Sequence, residues 1–128
     1  MRSEEILNGD NYHPRVLMQV FARDHVVVCG TDEVIALIRQ CAFHPETIEI
    51  HSLRDGEEVD EWETVMTIEG DYADFAHLET IYLGILARQS RIATNVRRVV
   101  KAANGKPVLF FPARYDIYQT QESDGYAA

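Results

Sequence analysis

The sequence contains little cysteine, little positive charge and no long apolar segment. Its two cysteines, Cys29 and Cys41, are too few for a disulfide scaffold and lack the spacing of a zinc site. No stretch reaches the ~18 consecutive apolar residues of a membrane span, and residues 1–10 lack the apolar core of a secretory signal. These absences predict a cytoplasmic protein without a membrane partner, in which both thiols are buried and reduced.

Acidic residues outnumber basic ones, and the two kinds are unevenly distributed. The 21 acidic and 12 basic side chains give a net charge of −9, which argues against general binding to nucleic acid. Residues 88–114 nevertheless form a basic block without any acid: Arg88, Arg91, Arg97, Arg98, Lys101, Lys106 and Arg114. Two explanations stay open for this block. It is either a solvated face that pairs with acids of the same or a partner chain, or a place that holds an anionic ligand.

Alternating apolar and polar residues predict several short strands before the basic block. Residues 15–22, 47–53 and 62–69 alternate with a period of two, as half-buried strands do. The short apolar run at residues 26–29 is typical of a buried strand. Residues 1–8 have helical character, and Thr31 is predicted to cap a second helix that fades near residue 40.

The longest helical signal covers about residues 73–103. Either Asp71 or Asp74 can cap its beginning, and Asn104 with Gly105 makes a good end. Its apolar residues follow the i, i+3, i+4, i+7 spacing of one buried stripe: Leu78, Ile81, Tyr82, Ile85 and Leu86.

The four residues 108–111 form a continuous apolar run, which is typical of a strand buried on both faces. We therefore predict that Phe110 and Phe111 lie in a core, as Tyr82 does. Residues 112–128 are polar and predict no following helix, although a parallel strand needs a crossover and further strands beside it. The chain is expected to stop where a second domain begins.

Arg114 directly follows that apolar run. Ligands of α/β sheets and barrels bind at the carboxyl ends of strands, and a guanidinium group matches a carboxylate or phosphate with two hydrogen bonds. A surface salt bridge is the alternative, but the basic block favours a ligand. No phosphate loop, catalytic serine motif or metal-ligand spacing is present, so no catalytic residue and no metal ligand is predicted.

The sequence resembles the nicotinate phosphoribosyltransferases, which share the type II phosphoribosyltransferase fold with the quinolinate enzymes. The resemblance rests on ordered blocks along nearly the whole chain: Cys29-Gly30-Thr31-Asp32-Glu33, Ile68-Glu69-Gly70-Asp71-Tyr72, Leu83-Gly84-Ile85-Leu86, Ile92-Ala93-Thr94, Ala102-Ala103-Asn104-Gly105-Lys106-Pro107-Val108 and Phe111-Pro112-Ala113-Arg114.

This resemblance implies an α/β (α+β) fold. Residues 1–106 would form an N-terminal domain with a small mixed sheet and the long helix at about residues 73–103. Residues 107–128 would begin a truncated α/β barrel, with residues 108–111 as its first strand. The missing barrel is expected to hold the catalytic residues.

The resemblance also implies an activity. Such an enzyme transfers phosphoribosyl from phosphoribosyl pyrophosphate to nicotinate, which gives nicotinate mononucleotide in NAD biosynthesis. ATP hydrolysis is expected to be coupled to the transfer, and Mg²⁺ to accompany the pyrophosphate, but neither is expected to bind this chain alone. A homodimer is expected. Catalysis would come from positioning and charge rather than from a protein nucleophile.

Three substrate-binding candidates follow from the matched motifs. Arg114 matches the arginine that holds an anionic group of the substrate after the first barrel strand. Ser90 and Thr94 match a Ser-x-x-Ala-Thr helix, where helix packing is the favoured alternative. Quinolinate enzymes tend to place arginine where this chain has Thr80, and lysine with threonine where it has Tyr115 and Asp116, so a monocarboxylate fits better.

Some residues depart from the family pattern. Arg91 stands where a glycine is frequent, and the family's ring-stacking tyrosine near the N-terminus has no counterpart, because Tyr12 lies too close to the first strand. The chain is therefore expected to be clipped at both ends and inactive alone. Two alternatives stay open: a non-enzymatic small acidic domain for binding or dimerisation, and the same fold acting on quinolinate or nicotinamide.

Overall fold

A computed structural model describes residues 3–128 as an α+β unit, which confirms the predicted fold class. Residues 1 and 2, the first of the predicted N-terminal helix, lie outside this range. The helices are α1 (Ser3–Gly9), α2 (Thr31–Cys41), α3 (Tyr72–Phe75), α4 (Glu79–Ala103) and α5 (Tyr118–Ala127). The strands are β1 (Arg15–Phe21), β2 (Val26–Val27), β3 (Glu49–Ser52), β4 (Glu58–Val59) and β5 (Thr64–Asp71). Across residues 3–128, every helix is too short or too polar to cross a membrane.

The strands form two small sheets. The larger sheet has the order β1-β5-β3, and the smaller pairs β2 with β4. Each pairing is antiparallel, whereas a mixed sheet was expected. Antiparallel strands can follow each other through short connections, but parallel ones need a long crossover. Helix α2 joins β2 of the smaller sheet to β3 of the larger one, so it is not a crossover between parallel strands of one sheet.

One face of the larger sheet builds the main core. Met66 and Ile68 of β5 point to it, as their alternation predicts, and α2 and α4 cover it. The helices contribute side chains at helical spacing, chiefly Val34, Ile38, Leu78, Tyr82 and Leu86. The predicted stripe of the long helix is therefore largely confirmed, although Ile81 is half exposed.

The long helix is interrupted close to its beginning. Asp71 caps α3, since its carboxylate accepts a hydrogen bond of 2.9 Å from the Ala73 amide. A 3₁₀ turn at Ala76–Leu78 then leads into α4. The helix ends at the predicted place, where Asn104 and Gly105 both adopt positive φ.

Thr31 does not cap α2 as predicted. It is the first helical residue, and the cap is Gly30, whose φ of 96° suits glycine. The helix instead receives a carboxylate from a distant turn, because Asp55 accepts hydrogen bonds from the Thr31 amide and hydroxyl at 2.9 and 2.8 Å. An anion at this end of a helix is favoured by the exposed amides.

Residues 108–111 do not form a strand within this chain. Leu109 is 90% exposed and Phe111 is 83% exposed, so the prediction that Phe110 and Phe111 lie in a core is wrong here. A strand needs a neighbour for its backbone amides and carbonyls, and no strand of residues 3–128 lies beside this segment. Its place as a first barrel strand stays a prediction.

The polar C-terminal segment forms a helix, contrary to expectation. Helix α5 packs on α4. Its apolar residues do not gather on one side of the helix, so its sequence shows almost no helical periodicity. An ion pair anchors it instead: the Arg88 guanidinium donates hydrogen bonds of 2.8 and 2.6 Å to the two oxygens of the Asp124 carboxylate, which is 1% exposed. The hydrogen bonds from Arg88 hold the pKa of Asp124 below its ordinary value.

We predict that this pair makes stability depend on pH. Because the pKa of Asp124 is lowered in the folded state, its contribution is present above the unfolded value of about 3.9 and is lost as pH falls through the folded value. At pH 7, Asp124→Asn should lower the free energy of unfolding measured in denaturant. The deficit relative to wild type should shrink below about pH 4.

Asp116→Asn is the matched control, because Asp116 lies 3.6 Å from the same guanidinium but is 46% exposed. Its effect at pH 7 should be much smaller. A deficit of Asp124→Asn that stays constant from neutral to acidic pH would contradict the assignment.

Candidate functional site

A cleft lies between helix α4 and the β1–β2 connection. Its volume is about 790 Å³, within the range of roughly 300–1,000 Å³ that small-molecule sites occupy. The apolar part of its lining is Val20, Phe21, Ala22, Val26, Val65, Leu83, Leu86 and Ala87. The polar part is Arg23, Asp24, His25, Ser90, Arg91, Thr94, Asn95 and Arg98. A cleft with this lining suits a ligand that has both an apolar body and an anionic group.

Ser90 and Thr94 join one wall of this cleft to strand β2. The Ser90 hydroxyl accepts a hydrogen bond of 3.0 Å from the Cys29 amide and donates one to the Cys29 carbonyl. The Thr94 hydroxyl accepts one of 2.9 Å from the Val27 amide and donates to the Ser90 carbonyl. Both hydroxyls are thus engaged with backbone, as the packing alternative expects, and their part in substrate binding stays a prediction.

Successive amides near β2 point in opposite directions, as in any strand. The Val28 amide donates to the Glu57 carbonyl at 2.8 Å, on the side of β4. The amides of Val27 and Cys29 face the other way, where no further strand lies. The two hydroxyls of α4 therefore take the place of a strand neighbour for these amides.

Arg114 lies apart from Ser90 and Thr94. It sits in the 3₁₀ turn Ala113–Tyr115, after the exposed apolar run, and does not line the cleft. Its side chain is exposed and forms no ion pair or hydrogen bond with any residue of the described chain. The structure thus does not bring the three predicted substrate-binding residues together, and the predicted role of Arg114 remains a prediction.

Four arginines of the basic block fall into two groups. Arg88 and Arg97 pair with acids of the same chain, Asp124 and Glu58, as one of the two explanations expects. Arg91 and Arg98 instead line the cleft, seven residues apart on α4. Neither has an ion-pair partner within residues 3–128. Arg91 and Arg98 therefore fit the other explanation of the basic block, which is that it holds an anionic ligand.

An aromatic pair lies beside the cleft. The rings of Phe21 and Trp62 are 5.2 Å apart between centroids and tilted by 34°, and the two residues are 41% and 62% exposed. The register of β1 against β5 shifts between Val20 and Phe21, and Trp62 has a φ of 69°, which is uncommon for such a residue. The alternation of residues 62–69 predicts that Trp62 lies in a strand, but β5 begins at Thr64.

A buried polar corner lies at the beginning of α2. Burial and the neighbouring Asp55 carboxylate raise the pKa of Cys29 to about 11, so its thiol stays neutral and is a poor nucleophile. Burial alone would raise the pKa of Asp55, but hydrogen bonds from Thr31, Gly30 and Tyr126 outweigh it and lower the pKa. Cys41 is exposed, which corrects the prediction that both thiols are buried.

Comparison with known proteins identifies the domain. The profile described as quinolinate phosphoribosyl transferase, N-terminal domain, matches residues 5–90. The chain belongs to this family. No curated protein sequence matches it significantly.

Solved structures agree with this assignment to the N-terminal domain of quinolinate phosphoribosyltransferases. A nicotinate-nucleotide pyrophosphorylase from Pyrococcus furiosus is 31% identical, with a TM-score of 0.89 over 98% of this chain and 33% of its own. One from Francisella tularensis is 18% identical, with a TM-score of 0.78 over 95% of this chain and 43% of its own. The human nicotinic acid phosphoribosyltransferase is 13% identical, with a TM-score of 0.76 over 97% of this chain and 33% of its own.

The type II phosphoribosyltransferase resemblance and the N-terminal portion are therefore confirmed. The finer prediction of a nicotinate enzyme is not confirmed, because the matching profile is that of the quinolinate family and the nicotinic acid enzyme is a distant match. The chain spans about a third to less than half of the length of these three structures.

The hydroxyl of Thr94 should stabilise this quinolinate phosphoribosyltransferase domain. Thr94→Val keeps the shape but leaves the Val27 amide without its acceptor, which typically costs about 1–3 kcal/mol. We expect a loss of this size in the free energy of unfolding measured with urea. Thr80→Val is the matched control on the same helix, since Thr80 is exposed, and its effect should stay within about 0.5 kcal/mol. Equal effects of the two substitutions would contradict the role of this hydrogen bond.

Proposed function

We propose that the chain is the N-terminal part of a phosphoribosyltransferase that makes nicotinate mononucleotide from a pyridine carboxylate and phosphoribosyl pyrophosphate. The observation that carries this proposal is the likeness of almost the whole chain to the nicotinate-nucleotide pyrophosphorylase of Pyrococcus furiosus. The proposed role is NAD biosynthesis in the cytoplasm. Arg114 is exposed and has no ion-pair or hydrogen-bond partner among residues 3–128, which supports a contact with an anionic group of the substrate.

Quinolinate is the proposed acceptor, because the family profile is that of the quinolinate enzymes. Nicotinate is the second candidate, favoured by Thr80. This residue is exposed and uncharged on the first turn of α4, so it offers no cation to a second carboxylate. The two reactions differ in their products. Quinolinate must lose its 2-carboxylate as CO₂ to give nicotinate mononucleotide, whereas nicotinate gives the nucleotide and pyrophosphate alone.

Mg²⁺, coupled ATP hydrolysis and a homodimer are parts of the same proposal. Among residues 3–128, no group of three or more His, Cys, Asp or Glu side chains is arranged to hold a metal ion. In this proposal Mg²⁺ accompanies the pyrophosphate of the substrate, because Mg²⁺ commonly binds substrate phosphates. ATP coupling belongs with the nicotinate candidate.

A stand-alone binding or dimerisation domain is the competing function. It predicts a monodisperse protein without an exposed apolar face. The structure disfavours it, because large apolar side chains are strongly exposed near the C-terminus: Leu109, Phe111, Tyr115, Ile117 and Tyr118. Dye binding and light scattering on the chain distinguish the two functions.

The 128-residue chain alone should form no nicotinate mononucleotide. We expect no product from quinolinate or nicotinate with phosphoribosyl pyrophosphate, ATP and Mg²⁺, because the charge stabilisation of the transfer needs groups that this third of the enzyme does not supply. Chromatography of the reaction mixture measures the product. Formation of nicotinate mononucleotide by the chain alone would contradict the proposal that other parts of the enzyme supply these groups.

A chimera tests the proposed function and its acceptor. In it, this chain replaces the matching third of the Pyrococcus furiosus protein. We expect nicotinate mononucleotide, with ¹⁴CO₂ released from 2-carboxylate-labelled quinolinate if that is the acceptor. Arg114→Ala should lower kcat/KM at least ~10-fold through the lost charge-assisted hydrogen bonds, whereas Lys106→Ala in the same basic block should change it little.

Thr80→Arg in the chimera tests the specificity argument. It should shift the preference toward quinolinate, because a guanidinium group matches a second carboxylate. A folded chimera that makes no nucleotide from either acceptor would refute the function. An unchanged preference in Thr80→Arg would remove the case for Thr80.

A further inference from the structure

The cleft beside α4 carries more positive charge than the fold requires. Arg23, Arg91 and Arg98 line it, and none of the three has an ion-pair or hydrogen-bond partner within residues 3–128. Asp24 is the one acid among the described lining residues, and His25 is already paired with Asp60 at 2.8 Å. In a chain with a net charge of −9, such a group of unpaired arginines is left free for an external anion.

The same cleft offers an apolar surface for a flat ring. Phe21 lines it and is 41% exposed, and its ring is backed by Trp62. The shifted register at Phe21 and the positive φ of Trp62 are both local irregularities at this place. Bulges and strained residues often aim a side chain at a ligand. An exposed aromatic pair is a suitable stacking surface, because a second ring gains contact at low entropic cost.

The arrangement of the arginines indicates an extended anion. Arg91 and Arg98 lie on one face of α4, about two turns or 10 Å apart along its axis. Asn95 lines the cleft between them, and its amide adds a neutral hydrogen-bonding group. Ser90 and Thr94 use their hydroxyls on the β2 side, so they shape the wall without competing for the anion.

We propose that this cleft binds a mononucleotide-like anion. Its heteroaromatic ring lies against Phe21 and the apolar floor, and its phosphate is held by Arg91 and Arg98. Guanidinium groups bind phosphate with paired, charge-assisted hydrogen bonds. The shared chemistry is a flat ring joined to a phosphate, and it comes from either a pyridine or a purine nucleotide. The site is distinct from Arg114, which does not line the cleft.

This inference rests on the cleft alone and not on the proposed function. Binding is measured on the 128-residue chain, without turnover, so its failure leaves the proposed activity unaffected. A failure of the chimera assay likewise leaves the binding proposal unaffected, because that assay does not report on this cleft.

The experiment is a titration of the chain by isothermal calorimetry and by the fluorescence of Trp62, the one tryptophan of the sequence. The probes are nicotinate mononucleotide, adenosine monophosphate, ribose 5-phosphate and nicotinate. We expect at least one nucleotide to bind and to change the Trp62 emission, with both ring-free and phosphate-free probes at least ~10-fold weaker, because ring and phosphate each contribute. Affinity should fall as salt is raised.

Three substitutions separate the parts of the site. Arg91→Ala should weaken the nucleotide at least ~10-fold through loss of charge-assisted hydrogen bonds, and Arg91→Lys should recover part of it. Phe21→Leu should abolish the advantage of nucleotide over ribose 5-phosphate. Lys101→Ala is the matched control, since it removes one charge from an exposed position of α4 outside the cleft.

Circular dichroism confirms that each variant is folded. Tighter binding of nicotinate mononucleotide assigns a pyridine nucleotide to the site, and tighter binding of adenosine monophosphate assigns a purine nucleotide. The proposal is overturned if neither nucleotide binds, if ribose 5-phosphate binds as tightly as both, or if Arg91→Ala and Lys101→Ala weaken binding equally.

Discussion

The contact between helix α4 and strand β2 is the constraint on which the rest of the structure depends. Strand β2 has only two residues and a strand neighbour on one side. The buried amides of Val27 in β2 and of Cys29 just after it face the other side and need an acceptor, because an unpaired buried amide is costly. Ser90 and Thr94 provide that acceptor from a helix. The hydrogen bonds fix the distance and rotation of α4, and with them the wall of the cleft.

Different parts of helix α4 contact three neighbouring elements, which are the larger sheet, strand β2 and helix α5. Its beginning is buried against the larger sheet through Tyr82 and Leu86. Its middle binds β2 through hydroxyls, and its outer side binds α5 through Arg88. The face that remains holds Arg91 and Arg98 at the cleft. A single 25-residue helix thus determines both the core and the position of the charged groups.

The charges show why net charge alone is a poor guide to binding. The chain is acidic, and several of its basic residues pair internally, including one that secures a nearly buried aspartate. The family model matches an N-terminal domain, and the chain spans 33% of the Pyrococcus furiosus structure that it resembles. The described arginines without an ion-pair or hydrogen-bond partner include Arg114 and the three that line the cleft. Binding of an anion is proposed at each of these two places.

The sequence by itself determined the parts of this protein that depend on local periodicity. Alternation in β1 and β5, the stripe of α4 and its end at Asn104 follow from side-chain spacing and backbone preference, which neighbours in sequence decide. Ordered motifs also indicated the type II phosphoribosyltransferase fold, but they pointed to its nicotinate enzymes rather than to the quinolinate family that the profile matches. Tertiary structure decided the rest, since helix α5 is held by an ion pair across 36 residues and the first residue of α2 binds Asp55 from 24 residues away. The apolar run at residues 108–111 also depends on tertiary structure, because a strand forms only where another strand pairs with its backbone amides and carbonyls.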